Sequence, residues 1–551
     1  MDRRTLLALV LVALVILLTP RLFAPPPPVV TSADSSVVVD SVRQPIDTAQ
    51  RAVSPTPPAV VAQPETTLLR VPAETLHVGD STSAFTFVNQ GGALQQVEMR
   101  QFRALGGREG MVKLEGDGAP LLAFRGIVGR DTIDFASTTF RTVRRDISGS
   151  TSQITYEGVV GSDTLVLDYL VKPDSFMVRV DAQVRGPLAQ NGFILMNYAP
   201  TLKSYEADSI DDQRSLSFAY EVSRRGAKGT AFAKFDPGER QIVPGPLTWV
   251  ALKSKYFIVG VLARDSVSPI AEFAMTGLAR TSRIATRAQG TAVIQPRQGG
   301  FSLDVYAGPQ QSERLTALGR DFINSNPYGG FMQPVVQPFA GLVMRVLLWM
   351  RHTFDIGYGW VLVIFGVAVR VILWPLNQKA MRTSMKMQRI QPELQALQTR
   401  YKSDPQKLQT EMMKVYKDHG MSPFSMFSGC LPLLLPMPVL FALFFVFRST
   451  IEFRGVPFMW MTDISLKDPF YILPLVMGVS MFVLSWIGSR NTPPNPQTKM
   501  MLYLFPVMMT FLLANLAAGL NLYYAVQNLA ALPQQWLIAN ERAKAAVKAK
   551  G

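Results

Sequence analysis

The chain is 551 residues long, with 55 Lys and Arg against 40 Asp and Glu and a formal net charge of +15. It is 48% hydrophobic but only 17% charged, below the roughly 25% charged content of ordinary soluble domains. The charge suggests nucleic acid and the hydrophobicity suggests a membrane, so the placement of the basic residues has to decide. A single Cys excludes a disulfide framework, a four-thiolate zinc site and a CxxC redox centre. His77, His352 and His419 are too scattered to suggest a histidine metal site, so no metal is expected.

In chain order, Arg3 and Arg4 precede an apolar run, Leu6 to Leu18. Four prolines, Pro25 to Pro28, follow Ala24 and would obstruct signal cleavage, so residues 1–23 are expected to be an uncleaved transmembrane anchor. Residues 24–67, rich in Pro, Ser, Thr and Val, read as an extended tether. Between 68 and 325 the pattern turns to short alternating runs broken by turn residues. Ala84-Phe-Thr-Phe-Val before Asn89-Gln-Gly-Gly is one, and Thr164-Leu-Val-Leu-Asp-Tyr-Leu-Val before Lys172-Pro-Asp is another. Such density predicts an antiparallel all-β sandwich, closed by a short helix near Gln311–Leu318. Residues 326–356, apolar but carrying Arg345, Arg351 and His352, read as an amphipathic helix on the outer membrane surface or as a strut packed on the sandwich.

Four long apolar blocks follow, at 357–376, 430–447, 470–487 and 500–538. The last has 39 residues without a charge, roughly 58 Å as one helix and about twice what a bilayer accepts. It should fold as two spans with a turn near Ala517-Ala518-Gly519, giving six spans with the anchor. The connecting segments are 377–429, 448–469, 488–499 and the tail 539–551. Residues 377–429 carry nine basic and four acidic residues, and loop 448–469 is neutral. With both termini in the cytoplasm, the short cytoplasmic segments sum to +11, as the positive-inside rule requires. The excess charge is topological first, and no specific nucleic-acid sequence is an expected partner.

The 377–429 segment has more cations than orientation needs: Lys379, Arg382, Lys386, Arg389, Arg400, Lys402, Lys407, Lys414 and Lys417. Its apolar spacing predicts two amphipathic helices joined at Ser403-Asp404-Pro405, a basic hairpin. It would rest on anionic headgroups, or dock a ribosome or a nascent chain through adaptable methionines. Arg370 is the one charge inside the last five spans, six residues from Leu376 and roughly 9 Å inside. An arginine there costs about 2.5–3.5 kcal/mol near a span's centre. It has no carboxylate in those spans to pair with, so water, carbonyls, polar side chains or an arriving group must complement it. Candidate polar neighbours are Ser480, Ser485, Thr510, Asn515, Asn521, Tyr523, Tyr524, Gln527 and Asn528. They would either satisfy one another between helices or line a hydrated pocket.

The stretches VRVILWPLNQKAMRTSMKMQRIQPELQAL, YKSDPQKLQTEMMKVYKDHGMSP, GCLPLLLPMPVLFALFF, DPFYILPLVMGVSMF and AAGLNLYYAVQNL resemble the YidC/Oxa/Alb family of membrane protein insertases, as do NQGGALQQVEMRQF and WVALKSKYFIVGVLARD in the outer domain. The likeness runs in order over roughly 68–538. It implies a polytopic α-helical membrane protein with a five-helix insertase core and a periplasmic all-β supersandwich, in the bacterial inner membrane. The core would enclose a hydrophilic groove open to cytoplasm and lipid. Arg370 matches the family's groove arginine, and Tyr523 or Tyr524 its substrate-proximal tyrosine. Implied partners are nascent membrane proteins, ribosomes, the Sec translocon, the signal-recognition receptor and the lipid bilayer. Gly366 stands where a Thr is frequent, Pro436 where a Gln is frequent, Ser422 where Asn precedes Pro423, and Gly357-Tyr358-Gly359-Trp360 where Asn-Trp-Gly is usual.

On this reading the chain is an insertase and chaperone, not an enzyme and without a cofactor; there is no GxxxxGK[ST] loop. A rival is a small-solute transporter or channel, which usually carries intramembrane acids or broken-helix repeats. A carbohydrate enzyme in the sandwich is a third, but it would need placed acids and bases, and His77 reads as an ordinary strand histidine.

Overall fold

The computed structural model describes residues 72–148, 151–172, 174–223, 225–264, 269–326, 333–402, 404–419, 437–490 and 500–548. The expected anchor and tether, and Ser422, Pro423, Cys430, Pro432 and Pro436, lie outside the described residues.

Two antiparallel sheets form the outer domain. The first runs in space through Thr75–Gly79, Ser83–Val88, Ala93–Arg103, Leu122–Val128, Gly192–Tyr198, Ala288–Ile294, Ile270–Gly277 and Arg240–Pro244. The second runs through Ala227–Ala231, Ser217–Val222, Leu247–Lys253, Phe257–Ala263, Gly300–Pro309, Met177–Arg185, Asp163–Lys172, Thr151–Val160 and Arg141–Ser148. Alternation drives the layering: along Asp163–Lys172, Leu165, Leu167, Tyr169 and Val171 turn inward and are buried. Aromatic rings stitch the sheets together, with Phe218 of the second sheet 5.4 Å from Phe273 and 6.3 Å from Tyr198 of the first. Two buried hydroxyls cross the core to carbonyls, Tyr169 to Gly92 at 2.6 Å and Tyr198 to Val250 at 2.8 Å. Helix Ser312–Ala317 closes the domain, and His77 is a strand residue 3.1 Å from the Thr86 hydroxyl.

The remainder is helical: α1 (Gln333–Phe354), α2 (Tyr358–Ile372), α3 (Trp374–Arg400), α4 (Pro405–Asp418), α5 (Met437–Ser449), α6 (Ile472–Ser489), α7 (Phe505–Leu513) and α8 (Ala518–Lys548). α1 meets α2 at a bend of 117°. One face of α1 buries Ala340, Val343, Met344 and Leu347 in a core shared with α2, α5 and α8, while Leu342, Trp349 and Phe354 are exposed. His352 also reaches Glu313 of the sandwich at 3.2 Å, so α1 has features of both a surface helix and a strut. Among the described residues α6 alone is a single helix long and apolar enough to cross a bilayer; α1 with α2 passes the same test as a bent pair, and residues Leu502–Leu513 form a shorter apolar helix.

The break between α7 and α8 falls at Ala514–Ala517, slightly before the expected glycine turn. The reason is a cap from outside the pair: Ala518 N–H donates to Leu466 O and Gly519 N–H to Ile464 O. Gly519 is required there, because a Cβ would run into the Phe447 ring. A similar constraint acts at Gly359, against the Phe458 ring.

Loop 450–471 thus sits over the starts of α2 and α8, and the sandwich docks on it. Arg454 holds Glu206 through two contacts of 2.7 and 2.9 Å, caps the Arg103 carbonyl, and lies over the Phe257 ring. The Tyr256 hydroxyl meets Ser465 at 3.1 Å, and Ser312 N–H donates to Glu452. Burial pushes the Glu206 carboxyl up to about 7, with Arg454 pulling the other way.

Candidate functional site

α2, α6 and α8 run in the same direction. Gly366 and Arg370 of α2 meet Gln527 and Gln534 of α8 in turn, and Met477 and Ser480 of α6 meet Asn528. Where α2 and α8 touch, the side chains are mostly apolar: Phe365 stacks 5.8 Å from Tyr523, which lies 5.8 Å from Tyr524. Within this packing runs a seam of polar groups. Gln527 Nε2 donates to the Tyr523 hydroxyl at 2.9 Å and reaches the Gly366 carbonyl at 3.4 Å. Asn528 Nδ2 donates to Ser480 Oγ at 3.2 Å. Asn521 donates to the Leu513 carbonyl at 3.0 Å, across the turn that joins α7 to α8.

Arg370 ends the seam, about 18 Å along α2 from its first residue. Its Nη2 donates to Gln534 Oε1 at 2.9 Å, and Gln534 Nε2 donates onward to the Trp374 carbonyl at 3.0 Å. Gln534 is 1% exposed, so its amide is committed to these two bonds. Arg370 Nε has no hydrogen-bond partner, and the guanidinium forms no ion pair among the described residues. The cation is therefore partly buried against a neutral amide. This is a costly arrangement in an apolar surround, and such groups occur where function needs them.

Of the anticipated site residues, the structure brings Arg370, Gly366 and Tyr523 onto one interface, with Tyr524 beside Tyr523. Gly366 lets α8 approach closely: a Cβ there would lie 3.1 Å from Val526 Cγ1. Most of the anticipated polar neighbours satisfy one another or their own helix, as Thr510 does through the Pro506 carbonyl. Gln534, the actual partner of Arg370, is absent from the set anticipated from sequence, though its seven-residue spacing from Gln527 puts both on one helix face.

The basic hairpin is α3 and α4, packed on Ile390, Leu394 and Tyr416 with Met412 and Val415 against them. Asp404 caps α4 by accepting from Lys407 N–H at 3.1 Å, with Pro405 in its first turn. Arg400 and Lys407 both lie over the Tyr401 ring at the tip. Lys414 pairs with Glu411 at 2.9 Å, while Lys402 and Lys417 are exposed. Lys379, Arg382, Lys386 and Arg389 belong to α3, and their side chains lie outside the described residues. α3 leaves α2 after a single non-helical residue, Leu373. The hairpin therefore leaves the helical body at the end opposite the sandwich.

Residues 349–545 match the family described as 60Kd inner membrane protein, and residues 76–342 match the YidC periplasmic domain. The membrane protein insertase YidC of Anaeromyxobacter dehalogenans (strain 2CP-C) is 30% identical over 419 residues, which is 75% of this chain and 73% of that protein. The membrane protein insertase YidC of Prosthecochloris aestuarii (strain DSM 271 / SK 413) is 28% identical over 575 residues, spanning 98% of this chain and 94% of that one. A crystal structure of an active YidC insertase with its first transmembrane domain resolved is 19% identical, with a TM-score of 0.34, over 85% of this chain and 93% of the other. The chain belongs to the YidC family of membrane protein insertases, and carries that family's inner-membrane domain and periplasmic β-sandwich domain.

Proposed function

We propose that the seam between α2 and α8 is where a nascent membrane protein is received, and that Arg370 draws its acidic, polar end inward while its apolar stretch moves into lipid. The observation that carries this reading is Arg370 itself: among the described residues, a cation held only by a neutral amide, with Nε unpartnered. An arriving carboxylate would gain a charge-assisted hydrogen bond that the resting protein does not supply. Energy would come from hydrophobic transfer and, for charged tails, from the membrane potential. The role is one of chaperone and insertase, without covalent chemistry at the site.

The layout that serves this role has six spans, both termini in the cytoplasm and the sandwich in the periplasm. The exposed apolar stripe of α2, Trp360, Ile364, Val367 and Val371, recurs at helical spacing and would face lipid. The basic hairpin would then project into the cytoplasm to meet the ribosome, the signal-recognition receptor or anionic headgroups, and cooperation with the Sec translocon belongs to the same reading. A groove open to the cytoplasm accounts for Arg370 lying toward the hairpin end of α2.

The test is insertion in proteoliposomes of two substrates that differ only in the charge of the translocated tail. Arg370→Ala is expected to lower insertion of the acidic-tailed substrate at least several-fold and to spare the neutral one. Equal insertion of both by wild type and variant would overturn charge capture.

A further inference from the structure

A second cationic site lies where the sandwich meets the helical body, far from Arg370. A cleft of about 760 Å³ opens between helix Ser209–Arg214, loop 465–469 and the outer ends of α5 and α8. A smaller pocket of about 240 Å³ adjoins it and shares Arg214, Lys255 and Arg448 with it. One wall is apolar and belongs to the helical side: Phe444 and Phe447 of α5, Leu516 of the turn before α8, and Leu520 of α8. The other is basic and spans both bodies, with Arg214 and Lys253 from the sandwich and Arg448 and Lys467 from the helical side.

The carboxylates at this place are already engaged. Asp208 caps the short helix by accepting from Asp211 N–H at 3.0 Å, and Asp211 pairs with Lys255 at 2.9 Å. Buried Asp212 accepts from Lys255 N–H at 2.9 Å. Arg214, Lys253, Arg448 and Lys467 form no ion pair among the described residues. Lys253 is the telling member: it is 9% exposed and lines the smaller pocket, and burial alone draws its ammonium down to about 7. The Ser325 hydroxyl there, able to donate to an anion, is buried without a hydrogen-bond partner among the described residues. A buried amine without an ion-pair partner among the described residues and a buried hydroxyl without a hydrogen bond each cost stability unless a ligand answers them.

We propose that this junction binds a phosphate group carried on apolar chains, an anionic phospholipid of the outer leaflet. Its phosphate would lie among Lys253, Arg214 and Arg448, and its chains would follow Phe444, Leu516 and Leu520 toward the bilayer. The apolar wall is what favours a lipid over free phosphate: Pro469 at the cleft's edge leads directly into Phe470, Ile472 and Leu475, apolar side chains exposed at the start of α6. A lipid held there would touch both bodies at once, beside the Glu206–Arg454 contact that joins them.

The test uses full-length protein in a non-ionic detergent, titrated with dioleoylphosphatidylglycerol, dioleoylphosphatidylcholine or inorganic phosphate and read by native mass spectrometry. One phosphatidylglycerol per chain should be retained in preference to phosphatidylcholine. Arg448→Gln combined with Lys467→Gln, both exposed and so safe for folding, should weaken that retention about tenfold, the loss expected from removing charge-assisted bonds. Lys228→Gln with Lys234→Gln removes the same charge elsewhere on the sandwich and should leave retention unchanged. Lys253→Met should act in the same direction as the first pair. Equal retention after the Arg448 and Lys467 changes would overturn the proposal. So would equal binding of the two lipids, or binding of inorganic phosphate with no lipid retained.

Discussion

The sandwich and the helical body solve the same burial problem in opposite senses. In the sandwich, aromatic rings meet between the sheets, and among the described residues only Val143, Val159, Phe193, Ile210 and Ile242 of its large apolar side chains stand exposed. In the helical body the apolar side chains face outward as well as inward: Leu475, Val479, Phe482 and Trp486 of α6 and Phe511 of α7 are exposed, whereas Gln527, Gln534 and Asn521 are buried. Water makes an exposed apolar face expensive, and lipid makes an unpaired polar group expensive. The two regions are built for different solvents, and Arg370 is where the second region breaks its own rule.

That contrast can be broken by substitution. The largest effect is expected from Phe218→Ala, which empties a ring site among Tyr198, Phe232 and Phe273; unfolding of the sandwich in denaturant should lose about 4 kcal/mol. Next is Arg454→Ala, which strands the buried Glu206 carboxyl at the junction and should cost about 3 kcal/mol, read as a lower melting temperature of the full chain. A loss below a fifth of that would mean the two bodies are held together elsewhere. Gln534→Leu removes both bonds at the end of the seam, and about 2 kcal/mol should be lost from the helical body in detergent. Phe511→Ala, at a side chain 75% exposed, should change stability in detergent by under about 0.5 kcal/mol; a core-sized loss there would contradict a lipid-facing surface.

Glu206 also gives the junction a pH signature. Its carboxyl titrates near 4.5 when free and near 7 when folded, so between these values the folded chain holds a proton that the unfolded chain has released. Its favourable contribution is complete below about 4.5 and is lost as pH rises through 7. Glu206→Gln, neutral throughout, should flatten the stability profile across that window. Parallel profiles for the two proteins would remove Glu206 as the titrating group.

What sequence reveals here depends on the range of the interaction. The strand Asp163–Lys172 was legible because its alternation is local, and the start of α4 because Asp404 caps its own helix three residues on. The spatial order of the strands was not legible, since period-two patterning says which face is buried and nothing about which strand lies alongside. Arg370 stood out as a lone charge in an apolar run, yet its partner is 164 residues away and uncharged. The Glu206–Arg454 contact joins residues 248 apart, both in loops of mixed charge. The Glu206–Arg454 pair carries no periodic signal, and the spacing that puts Gln534 on the same face as Gln527 does not say which helix lies opposite, so only folding reveals either pairing.

The bridge made by Gln534 has a mechanical consequence. Its amide grips Arg370 on one side of Leu373 and the Trp374 carbonyl on the other, so it clamps the joint between α2 and α3. α3 is 27 residues long, a lever of roughly 40 Å, and its fulcrum is three residues from the guanidinium. A load at the hairpin tip that tilts α3 cannot open this joint without stretching one of the two bonds. Whatever leans on the hairpin therefore acts on the hold over Arg370.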